Sequence, residues 1–140
     1  MKKTIPFALV SVLLLTGILG MVLQGGSAMS GPDLKPVSGT LEKHWSQVQQ
    51  KWYLTCDVKN AGNVDINGIC FNVAFYVGSE CVGTPSLCYL DAGATRTFQS
   101  QYFSESGTET VTVKADCFYE VAETNENNNI LTGSIWFSMA

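Results

Sequence analysis

The stretch Trp52-Tyr53-Leu54-Thr55-Cys56-Asp57-Val58-Lys59 alternates large apolar residues with residues that tolerate water. A period of two is typical of a half-buried β-strand, because successive side chains point to opposite faces of a sheet. The next four residues, 60–63, read Asn-Ala-Gly-Asn, a composition typical of turns. We therefore predict a strand whose inward row begins at Trp52 and includes Cys56, followed by a tight turn.

The same alternation recurs along the chain. Six further short strands are predicted over residues 34–37, 71–77, 87–90, 95–102, 111–117 and 130–137. Residues 41–50 fit a helical turn or an extended lead-in equally well, and residues 78–85 are predicted as a turn-rich connection. No segment after residue 50 keeps the period of a helix. About seven short strands separated by turn residues predict an all-β fold, an antiparallel β-sandwich.

The first 28 residues are predicted to be a targeting segment. Lys2 and Lys3 precede an apolar run over residues 5–23, and small residues follow it, as a signal peptidase site requires. The run is also long enough to span a bilayer. A cleaved signal peptide and an uncleaved signal-anchor helix therefore both remain open. Either one places a domain of residues 29–140 outside the membrane, as a secreted or membrane-tethered protein.

The charge of the exported part argues against two kinds of partner. Without Lys2 and Lys3 it has six basic residues against twelve acidic ones. An acidic domain repels nucleic acid and anionic headgroups. We expect no binding to nucleic acid, and contact with a membrane only through an uncleaved N-terminal segment.

Five cysteines lie in the exported part, which predicts disulfides in an oxidising compartment. Their spacing lacks the close pairs of a zinc site. Cys56 and Cys117 continue the inward rows of two strands, as in the inter-sheet disulfide of immunoglobulin domains, so they form the first predicted pair. Cys81 and Cys88 form the second predicted pair, and Cys70 is left over.

Several short motifs resemble the CARDB domain, the cell adhesion related domain found in bacteria, which also occurs in archaea. The resemblance covers nearly the whole exported part and implies an immunoglobulin-like sandwich at the cell surface or in secreted proteins. It implies no catalytic residues. The motifs are Pro32-Asp33-Leu34, Val58-Lys59-Asn60-Ala61-Gly62-Asn63, Phe71-Asn72-Val73-Ala74-Phe75-Tyr76-Val77, Leu90-Asp91-Ala92-Gly93, Gly107 before Val111-Thr112-Val113, Asp116, and Val121-Ala122-Glu123-Thr124-Asn125-Glu126-Asn127-Asn128.

The last of these motifs is rich in oxygen-bearing side chains. Carboxylate and carbonyl oxygens are the ligands of calcium, and the candidates here are Asp116, Glu120, Glu123 and Glu126. The alternative is that the Asn and Glu side chains hydrogen-bond the backbone and hold the turn between the last two strands. The spacing does not fit the twelve-residue calcium loop of EF-hands. No cofactor is predicted, and calcium remains the one ion to test.

Three tyrosines fall on outward positions of the predicted strands and loops: Tyr53, Tyr76 and Tyr119. Exposed aromatic rings can stack on a sugar or a peptide. The alternative is that they stabilise the sheets by cross-strand pairing.

An enzyme is not predicted. His44 is the only histidine, and neither a nucleophile motif nor a phosphate-binding glycine loop is present. We expect a non-catalytic, adhesion-type interaction module at the cell surface or outside the cell, which binds a protein or glycan. The alternatives are a structural subunit that self-associates through its sheet edges, and a calcium-dependent binding module.

Overall fold

Nine β-strands make up residues 30–138, the part of the chain that the computed structural model describes. No helix occurs in this part. The strands are β1 (Leu34–Pro36), β2 (Glu42–Ser46), β3 (Lys51–Asn60), β4 (Ile66–Val77), β5 (Glu80–Gly83), β6 (Ser86–Leu90), β7 (Thr95–Gln99), β8 (Gly107–Ala115) and β9 (Ile130–Phe137).

The strands form two antiparallel sheets. In the four-stranded sheet, β1 and β2 pair with successive stretches of the central strand β3, and β7 also pairs with β3. The five-stranded sheet has the order β5-β4-β8-β9, and β6 pairs with the first half of β4. The prediction of an all-β antiparallel sandwich is therefore confirmed for residues 30–138.

The inward rows of both sheets form the core. Every second residue of β3 from Trp52 to Asn60 is buried, as the alternation of the sequence predicts. Three phenylalanines, Phe71, Phe75 and Phe137, are the largest side chains with no exposed surface. Burying one such apolar side chain stabilises the fold by roughly 1.5–3 kcal/mol, so these rows hold the two sheets together.

Two strands were not expected from the sequence. The ambiguous segment 41–50 contains β2, which forms a hairpin with β3 and packs Trp45 edge-on against Trp52, with ring centroids 5.0 Å apart. The predicted connection 78–85 contains the four-residue strand β5. Neither strand shows full alternation of burial, because β2 lies at a partly exposed edge and β5 is very short.

Asn60 joins four segments at one end of the sandwich. Its buried side chain accepts hydrogen bonds from the N–H groups of Asp33 and Gly62, and donates to the carbonyls of Val64 and Leu90. All of its side-chain hydrogen-bonding capacity is used. Because an unpaired buried polar group is costly, Asn60 fixes where these segments meet.

Gly62 lies in the same junction, and the close approach of a second backbone segment explains why this turn residue is glycine. A Cβ atom at this position would lie 2.1 Å from the carbonyl oxygen of Gly31. Only glycine allows the two backbone segments to approach this closely.

The predicted leader, residues 1–28, and its signal or anchor helix lie outside the described residues. Within residues 30–138, no helix of the length and apolar character needed to cross a bilayer is present.

The predicted disulfide pairs are wrong. Residues 30–138 contain one disulfide, between Cys70 and Cys88, so the cysteine predicted to be left over is bonded. Cys56, Cys81 and Cys117 are free thiols. Cys70 meets Cys88 because the β4–β6 ladder shifts register between Asn67 and Phe71, and this irregularity, with Gly68 at φ +85°, brings the two cysteines opposite each other.

The predicted pairs fail for two physical reasons. Cys56 is buried in β3, but β8 ends at Ala115 and Asp116 adopts φ 50°, so the inward row does not continue to Cys117. Cys81 and Cys88 lie on β5 and β6, and these strands pair with opposite halves of β4.

Replacing both Cys70 and Cys88 with serine is expected to lower the free energy of unfolding by about 3 kcal/mol, since the bond closes a loop between residues 18 apart. Urea denaturation of the natural chain and the double variant measures this difference. The exposed Cys81→Ser is the control, with an expected change below about 0.5 kcal/mol. Alkylation of the unfolded, unreduced protein followed by peptide mapping should label Cys56, Cys81 and Cys117, and a label on Cys70 or Cys88 would contradict the pairing.

Candidate metal centre

The connection between β8 and β9 crosses one end of the sandwich and begins with a buried acid. Asp116 is fully buried, and its carboxylate accepts hydrogen bonds from the N–H groups of Glu120 (2.8 Å) and Val121 (3.0 Å). Aspartate tolerates the left-handed backbone conformation that Asp116 adopts. The residue therefore turns the chain out of β8 and fixes the start of the connection, residues 116–129, which we call the end loop.

Glu123 ties the end loop to the first strand. One carboxylate oxygen accepts a hydrogen bond from the N–H of Leu34 at 2.7 Å, and the other accepts one from the Asn129 amide at 2.8 Å. Glu126 in turn accepts the N–H of Glu123 at 3.1 Å. As a result, Asp116, Glu123 and Glu126 each place a carboxylate oxygen within 4.8 Å of the others.

The electrostatics of this acidic cluster are unfavourable without a positive charge. Burial, and then the carboxylates of Glu126 and Asp116, raise the pKa of Glu123 to about 8, although its hydrogen bonds from Leu34 and Asn129 act in the opposite direction. Like charges in a partly dry site favour either a bound proton or a cation.

Three buried side-chain oxygens in the end loop and the N-terminal segment that contacts it have no hydrogen-bond donor. Among the described residues, nothing donates to Oδ1 of Asp33, Asn128 or Asn129. Asn129 is 3% exposed, its amide nitrogen donates to Glu123, and its buried Oδ1 has no donor among the described residues. Carboxylate and amide oxygens in this number are the ligand chemistry of a hard divalent cation, and the residues present fit such an ion.

The structure brings three of the four calcium candidates together. Glu120 lies outside the cluster, and only its backbone N–H reaches Asp116. The turn-holding alternative also describes real contacts, since Asp116, Glu123 and Glu126 all accept backbone N–H groups. The sequence prediction placed Asn129 in this polar loop but missed Asp33, whose carboxylate accepts a hydrogen bond from the Asn128 amide at 3.1 Å. A signal for Asp33 was available, because it stands in the Pro-Asp-Leu motif next to the residue that Glu123 binds.

The three candidate binding-face tyrosines lie on separate surfaces. Tyr53 is on the four-stranded sheet, stacked on His44 with centroids 4.9 Å apart and edge-on to Tyr102. Tyr76 is on the five-stranded sheet, and Tyr119 is in the end loop, 64% exposed. They form no common platform, and the cross-strand pair of Tyr53 with His44 fits the sheet-stabilising alternative.

A cavity of about 330 Å³ lies at the opposite end of the sandwich, lined by Trp45, Gln50, Trp52 and Ser138. The β2–β3 hairpin builds it, and Gln50 adopts φ 54° to close that hairpin. The lining thus combines two tryptophans with two polar residues, and the Gln50 amide nitrogen already donates to the carbonyl of Gln47 at 2.8 Å. The strand β3 separates it from the acidic cluster, because Trp52 and Asn60 stand at opposite ends of that strand.

These two antiparallel sheets, packed through alternating inward rows, define the chain as an immunoglobulin-like sandwich domain. The family model named CARDB matches residues 31–133, which is more than half of the chain. The chain belongs to the CARDB family, and the resemblance seen in its motifs is confirmed.

Solved structures agree with this assignment. A domain of a Methanosarcina acetivorans protein, provisionally described as a cell surface protein, is 26% identical with a TM-score of 0.60, over 79% of this chain and 94% of that one. The CARDB domain of a Pyrococcus furiosus protein, crystallised in complex with di-metal ions, is 21% identical with a TM-score of 0.59, over 81% and 100%.

A solution structure of a CARDB domain from the same Pyrococcus furiosus protein is 23% identical with a TM-score of 0.53, over 79% of this chain and 98% of that one. The search of curated proteins found no match.

In metal-free buffer with a chelator, the free energy of unfolding is expected to fall as the pH rises from about 4.5 to about 8. In this window the folded state keeps a proton on Glu123 that the unfolded state has lost, so each rise in pH favours unfolding. The Glu123 contribution is fully present below pH 4.5 and is lost as the pH passes 8.

Urea denaturation at stepped pH values measures this dependence. Glu123→Gln cannot titrate and should flatten it, whereas the control Glu120→Gln, outside the cluster, should keep it. An identical pH dependence in the natural chain and Glu123→Gln would contradict the assignment.

Proposed function

We propose that this chain is a non-catalytic, adhesion-type interaction domain displayed outside the cell membrane, in which a calcium ion orders the end loop. The observation that carries the proposal is the cluster of Asp116, Glu123 and Glu126 with the unpaired, buried oxygen of Asn129 beside it. Membership of the CARDB family and the likeness to a domain provisionally described as a cell surface protein support the location.

The donor set favours calcium. Calcium takes six to eight oxygen ligands in flexible geometry, whereas magnesium demands a near-ideal octahedron and keeps several waters. Every candidate ligand here is a carboxylate or amide oxygen, and no thiol or imidazole joins them. The di-metal complex of the Pyrococcus furiosus CARDB domain supports metal binding in a related fold.

Asp116, Glu123 and Glu126 would hold the ion, with the unpaired amide oxygen of Asn129 as a further candidate ligand. When bound, calcium supplies the positive charge that the cluster lacks. The chain's own contribution is to link this site to the sheet, because Glu123 also accepts the N–H of Leu34 in β1. The ion would therefore order the end loop and β1 together.

A non-catalytic role is supported by the surroundings of the only histidine. The Nε2 atom of His44 lies 2.8 Å from the Thr55 hydroxyl, and its ring stacks on Tyr53. Neither contact activates a nucleophile beside a binding cavity, as a hydrolase needs.

The cavity at the other end favours a glycan over a protein as the partner. Trp45 and Trp52 offer aromatic surface for a sugar ring, and Gln50 and Ser138 offer polar groups for its hydroxyls. Its volume of about 330 Å³ falls at the lower end of small-ligand sites, which suits a single sugar unit and not a protein surface.

Adding calcium to chelator-treated protein, purified from cells that express the full chain, is expected to raise the unfolding temperature by roughly 5–10 °C at about 10 mM, since extracellular calcium sites bind in the range of about 0.1–1 mM. Glu126→Gln should lose most of this shift, while Glu120→Gln keeps it. No shift with calcium would overturn the metal half of the proposal, and a shift with magnesium alone would overturn the choice of ion.

For the partner, fluorescently labelled protein on a glycan array is expected to bind at least one class of neutral oligosaccharide. Trp45→Ala should reduce this binding at least tenfold, because it removes one wall of the cavity. Trp136→Ala is the matched control: this tryptophan is 62% exposed but does not line the cavity, so binding should persist. Binding to no glycan, or equal loss in both variants, would contradict the glycan assignment.

A further inference from the structure

The strand β9 is an edge strand whose own sequence lacks the usual protection, and Lys43 is the one charged side chain that reaches its backbone among the described residues. It pairs with β8 over all eight residues without a bulge, and no described strand pairs with its other side. The segment Ile130–Phe137 contains no charged residue and no proline. Edge strands of monomeric proteins usually carry charges, prolines or bulges that prevent pairing, and the edge strand β2 does carry Glu42 and Lys43.

On the open side of β9 the Trp136 carbonyl accepts the Lys43 ammonium, and the other backbone groups have no partner among the described residues. The carbonyl of Asn129 accepts the N–H of Ala115. The backbone N–H and C=O groups of the odd-numbered residues of β9 therefore point towards β8. By the alternation of antiparallel ladders, the N–H and C=O groups of Ile130, Thr132 and Ser134 point to the open side. The Lys43 ammonium confirms this direction, because it reaches the carbonyl of Trp136 from that side.

The side chains of β9 are arranged symmetrically about Gly133. Antiparallel pairing of two copies centred on Gly133 places Thr132 opposite Ser134 of the second copy, and Ile130 opposite Trp136 of the second copy. Ile130 is 57% exposed and Trp136 is 62% exposed, so this pairing covers two large apolar side chains from each copy. Cross-strand aromatic–aliphatic and hydroxyl pairs are among those that stabilise sheets.

We propose that two copies of this chain pair antiparallel through β9, in the register that centres on Gly133, and join their five-stranded sheets into one continuous sheet. The distribution of charge favours self-association through β9 over association through other surfaces. The exported part is acidic overall, with twelve acidic against six basic residues, and β9 is an uncharged stretch where two copies approach without opposing like charges.

The small size of the β9–β9 contact indicates a weak dimer. Eight residues of strand extend over about 27 Å, and an edge pairing of this length lies at the low end of specific interfaces. The Lys43 ammonium must also leave the Trp136 carbonyl when that carbonyl pairs with the second copy. The dimer is therefore weak and exchanges with monomer as the protein is diluted.

Sedimentation velocity across a roughly hundred-fold range of protein concentration tests the dimer. Protein purified from cells expressing the full chain should shift from monomer to dimer, with and without calcium, so the outcome does not depend on the metal site. A monomer throughout the range would overturn the proposal.

Two variants with exposed substitutions test the register. Thr132→Lys with Ser134→Lys places like charges opposite each other at both hydroxyl pairs and should abolish the dimer, although it makes the acidic domain less negative. Thr132→Lys with Ser134→Glu places opposite charges at the same pairs and should restore the dimer. The control Thr95→Lys, on the exposed edge of the other sheet, should leave it unchanged. A dimer that survives the double lysine variant, or is not restored by the mixed variant, would overturn this register.

Discussion

Three carboxylates lie within 4.8 Å of one another, with Asp116 buried, Glu123 half-buried and Glu126 exposed, and this arrangement favours a proton on Glu123 or a bound cation. The fold places them there because Asp116 turns the chain out of β8 and Glu123 returns to bind the N–H of Leu34. Protonation or metal binding at this cluster therefore acts directly on β1, through the hydrogen bond between Glu123 and Leu34. A proton satisfies Glu123 alone, whereas a divalent cation satisfies all three acids and the neighbouring amide oxygen at once.

The two ends of the sandwich differ in chemistry, and β3 connects them. At one end Asn60 ties the entry of the chain to the turns beside it, and the acidic end loop packs across the same end. At the other end the β2–β3 hairpin carries two tryptophans around a cavity. Residue 30, which follows the predicted leader, lies at the acidic end, where the Gly31 N–H binds Asn63. The cavity thus lies at the end of the sandwich away from residue 30.

Most of the core could be predicted from the sequence, because alternation along 52–58, 71–77 and 111–115 reports directly which side chains are buried. The segment that forms β2 was ambiguous because all of its side chains are at least partly exposed, and its sequence therefore does not alternate between apolar and polar residues. Cysteine pairing could not be predicted from parity, since a register shift in β4 and a left-handed residue at Asp116 each break the alternation. The acidic loop was visible as composition, but the contact of Asp33 with this loop joins residues 95 apart in the sequence.

The central claim is that the acidic cluster holds a divalent cation, and its location is most directly tested by crystallography. Crystals would be grown with calcium and then soaked in manganese, which takes similar oxygen ligands and scatters anomalously. An anomalous difference map then locates the bound metal. The account predicts an anomalous peak in contact with the carboxylates of Asp116, Glu123 and Glu126. A map with no peak there, or with its metal bound only at another surface, would contradict it.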